Sequence, residues 1–311
     1  MQTRTYDVVA LGEAMVEFNQ TSPNQGQYLQ GFGGDTSNAA IAAARAGART
    51  AYLTRIGADS FGRLLLQLWG QEGVNTSGVS TASASHTGIY FVTHGSQGHE
   101  FSYLRADSAA SRMTPQWLAG TPTTLIRESR YLHVSAISLA ISAGACDTAF
   151  EAMETAREAG TLVSFDSNLR LKLWPLARAR ACTIEAVAMC DLFLPSQEDM
   201  IVLTGLTDPD AIIDWGHEKG AATVVLKLGS EGARVSDGHK RETIPARHVT
   251  VRDATGAGDC FCGNLLARLA KGDDVFQAAA YANAAAALSV QGFGAVNPMP
   301  RSSSVFAVLC P

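Results

Sequence analysis

Strand-length apolar runs alternate with helix-forming stretches along most of the 311-residue chain. Apolar runs with strand signals fall at 6–11, 51–56, 131–135, 161–166, 191–194 and 223–228. Helical patterns accompany them, among others at 60–71, 147–159 and 275–291. Strands that alternate with helices at this spacing predict an α/β fold with a parallel, doubly wound sheet. In such a sheet the crossovers are right-handed, and ligands bind at the carboxyl ends of the strands.

A glycine-rich turn late in the chain carries the strongest functional signal. Residues 251–261 read Val-Arg-Asp-Ala-Thr-Gly-Ala-Gly-Asp-Cys-Phe, and a helix is predicted after the turn from the spacing of Phe261, Leu265 and Leu269. The N–H groups of Gly256, Ala257 and Gly258 would point outward at the positive end of this helix, which favours phosphate. Asp259 would suit a base that takes a proton from an attacking hydroxyl. A carboxylate that merely caps the helix is the plainer interpretation.

A second glycine-rich segment lies near the amino terminus. Gly33, Gly34 and Asp35 precede an alanine-rich stretch that begins at Asn38 and has strong helix propensity. Asp35 and Ser37 are the natural candidates for the N-cap of this helix. Glycines that only permit a turn before a capped helix are the alternative to a binding role.

A hairpin is predicted over residues 88–105, with its turn at 96–98. Tyr90 falls on one face of the first strand, and Tyr103 and Arg105 share a face of the return strand. Tyrosine hydroxyls can donate to oxygen atoms, and arginine can bind a carboxylate through two hydrogen bonds. The hairpin therefore suits a polar, anionic small molecule, although ordinary strand aromatics with a solvated arginine would give the same pattern.

Composition limits the classes of partner. The net charge of −5 disfavours nucleic acid and anionic membranes, and no apolar run reaches membrane-span length. The amino terminus lacks a signal-peptide pattern, so we expect a cytoplasmic protein. The six cysteines are scattered without the spacing of a zinc site, which favours free buried thiols.

Missing motifs narrow the enzyme class. The sequence contains no G-x-x-x-x-G-K-[ST] loop and no G-x-G-x-x-G after the first strand. A P-loop kinase and a Rossmann-type oxidoreductase are therefore disfavoured. Without a P-loop lysine, a transferred phosphoryl group would have to be neutralised by helix amides, magnesium and an arginine.

The two glycine-rich segments together resemble the signatures of the ribokinase-like sugar kinases, the PfkB carbohydrate-kinase family. The matching strings are D-A-T-G-A-G-D at 253–259, where the family usually has Thr in place of Ala254, and G-G-D-x-x-N-x-A at 33–40. The resemblance runs from about residue 7 to residue 300. It implies a three-layer α/β/α core with a central mostly parallel sheet and a small β-sheet lid. In the family the aspartate of the later string is the base and the preceding amides hold the phosphoryl group, while the residues that grip sugar hydroxyls match Gly33, Gly34, Asp35 and Asn38.

Two further strings resemble 2-keto-3-deoxygluconate kinases within that family. They are Y-L-R-A-D-S-A-A-S at 103–111 and D-S-N-L-R-x-x-x-W-P at 166–175. The resemblance implies that the acid sugar is held by Tyr90, Tyr103, Arg105 and Arg170. The reaction it implies is ATP-dependent phosphorylation of 2-keto-3-deoxy-D-gluconate, or of its galactonate epimer, at the terminal hydroxyl. A fructose, ribose or nucleoside kinase and a non-catalytic sugar-binding pseudokinase remain as alternatives.

The same resemblance implies a nucleotide side and a lid. Residues that match its ATP-binding positions are Asn168, Ser196, Lys227, Gly229, Glu231, Gly232 and Asn283. Asp199 takes the place of the family's glutamate that orders Mg²⁺ through water, and Ser196 replaces the usual asparagine of that motif. A monovalent cation such as K⁺ is compatible with the family. We expect one kinase domain over residues 1–311, with a lid from about 13–34 and 87–110 that joins subunits into a homo-oligomer.

Overall fold

A computed structural model describes residues 4–21, 26–95 and 98–309. Its strands are β1 (Tyr6–Leu11), β2 (Met15–Gln20), β3 (Tyr28–Gly33), β4 (Thr50–Gly57), β5 (Val79–Ala82), β6 (Gly88–Gly95), β7 (Gly98–Leu104), β8 (Ser129–Ser135), β9 (Leu162–Asp166), β10 (Leu192–Leu194), β11 (Thr223–Lys227), β12 (Ala233–Ser236) and β13 (Arg241–Ile244). Nine of them form one sheet in the order β13-β12-β11-β10-β9-β8-β1-β4-β5. This sheet is parallel from β11 to β5, whereas β12 and β13 run antiparallel at one edge. The predicted mostly parallel sheet is confirmed.

Helices cover both faces of the large sheet. They are α1 (Asp35–Arg45), α2 (Ser60–Glu72), α3 (Thr121–Arg127), α4 (Ala136–Ala140), α5 (Ala143–Glu158), α6 (Leu176–Met189), α7 (Gln197–Thr204), α8 (Pro209–Glu218), α9 (Ala257–Ala270), α10 (Val275–Ser289) and α11 (Ser302–Leu309). One apolar layer joins the sheet to α3, α4, α5, α6, α7 and α8. The other joins it to α1, α9, α10 and α11. The two layers give the predicted α/β/α arrangement.

Residue periodicity explains both layers. Successive residues of β1 point to opposite faces, so Val8 packs under α1 and α9 while Val9 packs under the helices of the other layer. Both side chains are fully buried. A strand covered on both faces reads as a continuous apolar run, which is why this one could be recognised in the sequence. No helix in the described part of the chain has the length and apolar content needed to cross a membrane.

A four-stranded sheet stands apart from the large one. Its order is β3-β2-β6-β7, with β2 parallel to β6 and the other pairs antiparallel. The register places Tyr90 opposite Tyr103, so the two rings share one face of the small sheet. The small sheet comes from the parts of the chain in which the lid was predicted. The turn predicted at 96–98 includes residues 96 and 97, which lie outside the described residues.

Two predicted helix starts are corrected. Gly34 is the N-cap of α1 and no side chain caps that helix, so the prediction that Asp35 or Ser37 would do so is wrong. Ser37 instead accepts a hydrogen bond from the indole of Trp69 at 2.9 Å. Helix α5 begins four residues before the predicted 147, because the hydroxyl of Ser142 caps it by accepting from the amide of Ala145.

Candidate active site

The glycine-rich turn leads directly into α9. Gly256 is the N-cap residue, with a φ of 75°, a left-handed conformation that glycine adopts without strain. Asp253 fastens the turn, because its carboxylate accepts from the amides of Thr255 and Gly294, both at 2.9 Å. The amide of Ala257 already donates to the carbonyl of Ala254 at 3.2 Å. Of the three amides predicted to bind an anion, those of Gly256 and Gly258 are therefore the better placed.

Asp259 lies in the first turn of α9 and is partly exposed. Its Oδ2 accepts a hydrogen bond from Nδ2 of Asn38 at 2.8 Å, so two residues 221 positions apart meet where α1 packs against α9. Burial, together with the nearby carboxylate of Asp35, raises the pKa of Asp259 to about 7. A carboxylate with a pKa near neutrality is suited to accept a proton in a reaction at physiological pH.

Helix α1 contributes two acceptor atoms that have no hydrogen-bond partner among the described residues. Asp35 Oδ2 accepts from Nδ2 of Asn168 at 3.0 Å, whereas Asp35 Oδ1 and Asn38 Oδ1 are buried without such a bond. Burial raises the pKa of Asp35, and the carboxylate of Asp166 adds to that effect. Buried acceptors without a partner are costly, which indicates that a bound molecule supplies donors. Sugar hydroxyl groups are donors of that kind.

The two glycines before α1 allow close approach from two directions. A Cβ on Gly33 would lie 2.4 Å from the hydroxyl oxygen of Tyr90, so only glycine admits that ring. Gly34 has a φ of 110°, and a Cβ there would lie 2.4 Å from the carbonyl oxygen of Glu13. Gly33 therefore lets the Tyr90 ring of β6 pack against β3 within the small sheet, and Gly34 lets the start of α1 approach the chain just before β2.

The small sheet places a row of rings over this region. Tyr90 stacks on Tyr103 at a centroid distance of 5.7 Å and donates a 2.5 Å hydrogen bond to Glu17 Oε2. Burial and the Glu17 carboxylate raise the pKa of Tyr90, and Asp259 adds to this shift, so the phenol lies within electrostatic reach of the candidate base. Burial also raises the pKa of Glu17. Tyr103 remains 39% exposed and can contact a ligand.

Arg105 follows the last strand of the small sheet and is held by Glu13. Its Nε donates to Glu13 Oε2 at 2.8 Å, and its Nη2 contacts the same oxygen. Glu13 is 2% exposed, and its other oxygen accepts a hydrogen bond from Ser108 at 2.5 Å. The guanidinium lies 5.8 Å from the centre of the Tyr103 ring. Arg105 is thus fixed beside the two tyrosines, and two of its nitrogen donors, Nε and Nη2, already bind Glu13.

A buried ion pair lies at the ends of β9 and β11. Lys227 Nζ donates to Asp166 Oδ1 at 2.8 Å, and Asp166 Oδ2 accepts from the Cys262 thiol at 3.4 Å. Burial opposes both charges, but each partner favours the charged form of the other, so the pKa of Asp166 is lowered and that of Lys227 is raised. The ammonium lies 3.7 Å from the point where a Cβ on Gly258 would be. A fixed positive charge therefore adjoins the candidate anion site.

Arg170 lies on the exposed segment after β9. Its Nη1 donates to the carbonyl of Leu169 at 2.8 Å, and its charge counteracts the raised pKa of Asp35. The side chain is within electrostatic reach of the α1 acceptors, and apart from the Leu169 carbonyl no hydrogen-bond partner is seen for it in the described chain. Arg170 therefore supplies positive charge that no carboxylate of the described residues neutralises by an ion pair.

A second network begins beside Asp166. Ser167 donates to Asp199 Oδ2 at 2.8 Å and accepts from the amide of Ser196 at 3.1 Å. Ser196 also caps α7, since its hydroxyl accepts from the amide of Asp199. Within residues 4–21, 26–95 and 98–309, no cluster of three or more His, Cys, Asp or Glu side chains could hold a metal ion. Asp199 could act on a metal only alone or through water.

Two of the remaining predicted nucleotide residues, Gly232 and Asn283, meet at residues 244–246. A Cβ on Gly232 would lie 2.1 Å from the carbonyl oxygen of Ile244. Asn283 Nδ2 donates to the carbonyls of Ile244 and Pro245 at 2.9 and 3.3 Å, so this amide braces α10 against β13. Gly229 and Glu231 lie at the turn between β11 and β12, where neither is buried. An adenine contact by Asn283 stays a prediction and would have to use its carbonyl oxygen.

Comparison with known proteins identifies the family. The pfkB family of carbohydrate kinases matches residues 5–302. The chain belongs to this family. The kinase has the predicted ribokinase-like α/β fold, and the broad prediction of a sugar kinase is confirmed.

Relatives of the kinase act on different sugars. A 2-dehydro-3-deoxygluconokinase from Thermoproteus tenax is 34% identical, with 95% of this chain and 92% of the relative covered. A probable fructokinase-4 from Arabidopsis thaliana is 31% identical, with coverage of 97% and 96%. The solved fructokinase of Vibrio cholerae O395, in a form with fructose, ADP and calcium, is 29% identical with a TM-score of 0.87, and covers 96% of this chain and 98% of its own. Both substrate classes are therefore represented at similar distance.

Residue-level reasoning on the sequence missed three acidic side chains. Glu13 and Glu17 lie shortly before and within β2, and Asp166 ends β9. The alternation along 13–18 did not predict a functional role for either glutamate, because their buried partners come from residues about 75 to 95 positions away in the sequence. Acidic residues at the carboxyl ends of parallel strands were the available signal.

Proposed function

We propose that this kinase transfers the γ-phosphoryl group of ATP to the terminal hydroxyl of 2-keto-3-deoxy-D-gluconate or its galactonate epimer. The observation that carries the proposal is the set of cationic and aromatic side chains near Asp35 and Asp259. Arg170 acts on the charge of Asp35, and Tyr90 lies within electrostatic reach of Asp259. Tyr103 stacks on Tyr90, and Arg105 lies beside Tyr103. A neutral sugar would use the acceptor atoms of α1 but would give no reason for the two arginines.

The residues divide the reaction between them. Asp259 takes the proton from the sugar hydroxyl, whose oxygen forms a bond to the γ-phosphorus while the bond from that phosphorus to the bridging oxygen breaks and ADP leaves. The amides of Gly256 and Gly258 and the Lys227 ammonium lie where negative charge grows on the transferred group. Asp35 and Asn38 accept from other hydroxyls of the acceptor and orient it.

The donor set also fits ATP with Mg²⁺. Magnesium keeps several waters and uses few protein carboxylates when phosphates coordinate it. Asp199, with Ser167 fixing its carboxylate, would meet the ion through water. The ion would supply positive charge beside the phosphates. The solved relative with ADP and calcium supports nucleotide and divalent-cation use, and the family is compatible with K⁺ as well.

Fructose is the second candidate acceptor. Glu13 occupies two donor atoms of Arg105, which leaves this guanidinium paired rather than free for a substrate carboxylate. Fructokinases also match the chain over nearly its full length. If Arg105 serves only to fix the small sheet, a neutral hexose becomes the better substrate.

One assay separates the candidates. ADP release, coupled to NADH oxidation, is followed over a panel of 2-keto-3-deoxy-gluconate, its galactonate epimer, fructose, ribose and adenosine. We expect the highest kcat/KM for one of the two keto-deoxy acids. A preference for fructose would replace the acid-sugar proposal with the second candidate. Absence of turnover on the whole panel would favour a sugar-binding pseudokinase.

Arg170→Gln tests the acidic end of the substrate without disturbing an ion pair. Its KM for the keto-deoxy acid should rise roughly ten- to a hundredfold, as expected for loss of a hydrogen bond of about 1.5–3 kcal/mol to a charged group. The KM for ATP should stay the same. Lys172→Gln removes a charge two residues away and is the matched control. Equal effects of the two variants would argue that only general electrostatic attraction is lost.

We further propose a homo-oligomer and a cytoplasmic location. The face of the small sheet that carries Tyr90 ends in Leu29, which is 60% exposed on the edge strand β3. Tyr103 on the same face is 39% exposed. Exposed apolar side chains on the rim of the small sheet favour contact with a second copy, as the lids of related sugar kinases are expected to make.

A further inference from the structure

Two cysteines face each other on helices α5 and α6. Cys146 lies in the first turn of α5 and Cys182 lies in the middle of α6. Their Sγ atoms are 3.9 Å apart. A disulfide requires an S–S distance of about 2.05 Å, so the sulfurs need to approach by roughly 2 Å, a shift within the reach of side-chain rotation.

The surroundings give the two thiols different roles. Cys146 is 5% exposed, whereas Cys182 is only half-buried and therefore meets a dissolved oxidant first. Burial and the neighbouring Cys182 raise the pKa of Cys146 to about 11, and Arg178 partly offsets this. Arg178 lies one turn before Cys182 on α6 and so faces the same side of the helix. Its guanidinium opposes the raised pKa of Cys146 without reversing it.

We propose that Cys146 and Cys182 are a peroxide-sensitive pair that forms a reversible disulfide between α5 and α6. A disulfide that forms in a reducing compartment is transient and redox-sensing, and the two sulfurs are already nearly in contact. The other described cysteines, Cys190, Cys260 and Cys262, are buried.

The chemistry balances with hydrogen peroxide as oxidant. Peroxide transfers one oxygen to the Cys182 sulfur, giving a sulfenic acid and one water. The Cys146 sulfur then attacks the Cys182 sulfur, the S–S bond forms, and the hydroxyl leaves with the Cys146 thiol proton as a second water. The two thiols lose two electrons in total, and peroxide gains them. A small dithiol reverses the process by thiol–disulfide exchange.

Formation of the disulfide would covalently link α5 and α6, two helices that follow adjacent strands of the sheet. It joins residues 36 positions apart, and such a link stabilises a protein mainly by restricting the unfolded chain. Helix α6 starts shortly after the segment that carries Asn168 and Arg170. The oxidised protein should therefore unfold at a higher temperature, and the difference should vanish when a dithiol is added.

The first test is chemical. The full-length reduced protein is treated with increasing hydrogen peroxide, alkylated, digested without reductant and analysed by mass spectrometry. We expect a cross-linked peptide that joins residues 146 and 182, with loss of two hydrogens from the intact mass, and its disappearance with dithiothreitol. Oxidation of Cys182 to sulfinic acid without any cross-linked peptide would overturn the proposal.

Variants distinguish the pair from general cysteine oxidation. Cys146→Ala removes the resolving thiol, so Cys182 should accumulate higher oxides and the oxidant should no longer raise Tm. Cys190→Ala is the matched control, since this thiol is also buried near the end of α6 yet should leave the cross-link intact. A cross-link to Cys182 that persists in Cys146→Ala, or a Tm gain in that variant, would assign the effect to other thiols.

Discussion

Asp259 depends on its neighbours for its protonation state. The carboxylate accepts a hydrogen bond from Asn38 and faces a second carboxylate on Asp35. Removing its charge while keeping its shape should therefore affect the chemical step more than binding. Asp259→Asn should lower kcat by about 10²- to 10⁴-fold, the usual contribution of a general base.

Steady-state kinetics measures the kcat of that variant. Calorimetric titration measures the binding of ATP and of the sugar in separate experiments. Binding of both should be retained, because the α1 acceptors and the amides of the turn remain. Ser37→Ala, on the same helix as Asn38 but hydrogen-bonded to Trp69, serves as the control and should keep its kcat. A variant Asp259→Asn that turns over at the wild-type rate would exclude this carboxylate as the base.

The raised pKa of Asp259 predicts opposite effects of pH on activity and stability. Because the base must be ionised, kcat/KM should rise with pH through about 7 and level off above it. The folded state binds this proton more tightly than the unfolded chain, in which an aspartate keeps its ordinary pKa of 3.8. The stability that the protonated group contributes is complete below that lower value and is lost as pH rises through about 7.

Thermal unfolding of wild type and Asp259→Asn across pH checks this sign. The Tm of the wild type should fall relative to the variant between about pH 4 and pH 7, since asparagine does not titrate. Asp35 also has a raised pKa and interacts with Asp259, so the comparison reports the titration of the pair. A Tm difference that stays constant over this range would contradict the shifted pKa.

At the level of single residues, the sequence predicted those site residues that lie within a recognisable motif. Asn38 and Asp259 were predicted as site residues from two separate strings, and the structure joins them by a 2.8 Å hydrogen bond. The partner of Arg105 could not be inferred in that way, because Glu13 sits in no motif and reaches the guanidinium only through the fold. The same holds for the Asp166–Lys227 pair. Buried charge pairs are properties of the folded sheet rather than of local spacing.

Among the elements, strands β3 and β6 of the small sheet are packed closely against each other where Gly33 meets Tyr90. Gly33→Ala would place a methyl group 2.4 Å from the Tyr90 hydroxyl oxygen, and Tyr90 is held by Glu17 and by the Tyr103 ring. The ring must therefore shift away from Asp259. Overpacking of this kind costs about 1–3 kcal/mol. We expect the KM for the sugar to rise roughly tenfold, with an unchanged KM for ATP.

Gly26→Ala is the matched control for that experiment. Gly26 precedes the same strand, is exposed, and a Cβ there meets no atom within 4 Å. It should leave both KM values and the Tm unchanged. If Gly33→Ala also binds its sugar normally, the contact between Gly33 and Tyr90 does not position the ring for binding.

Element prediction succeeded where burial produced a simple pattern. Strands β1 and β9 and helix α2 agree with their predicted ranges within one residue, because apolar runs and helical periodicity mark buried elements. Strand β3 was missed, since its sequence YLQGFG contains two glycines and its first three residues are exposed. Its position depends on pairing with β2. Pairing with a neighbouring strand depends on the folded sheet and not on the local preference of these residues for a strand.

In the whole molecule, the large sheet and the small one contribute different chemistry to one place. The large sheet supplies Asp166 and Lys227 at its carboxyl edge, together with the first turn of α9. The small sheet supplies the rings and Arg105 from above. We propose that a ligand binds between them and contacts both, so that the spacing of the two sheets would control access to Asp259. A contact that fixes the small sheet from outside should therefore influence activity.

A second copy of the chain is the contact we predict for the small sheet. Leu29 lies opposite Asn19, which lies opposite Val92, so all three share the face that carries Tyr90. Val92 is 4% exposed, whereas Leu29 at the edge is 60% exposed. Leu29→Glu would put a charge into this apolar row. Light scattering after size exclusion should then show a lower oligomeric state than that of the wild type.

The control for this prediction places the same charge elsewhere. Leu162, at the amino-terminal end of a strand of the large sheet, is 42% exposed, and Leu162→Glu should leave the oligomeric state unchanged. If both variants and the wild type have the mass of one chain, the small sheet covers its site without help from a neighbour. If Leu29→Glu alone dissociates and its sugar KM rises, the interface also fixes the sheet above Asp259. The substituted residue lies on the edge strand β3, whereas the two tyrosines lie on β6 and β7.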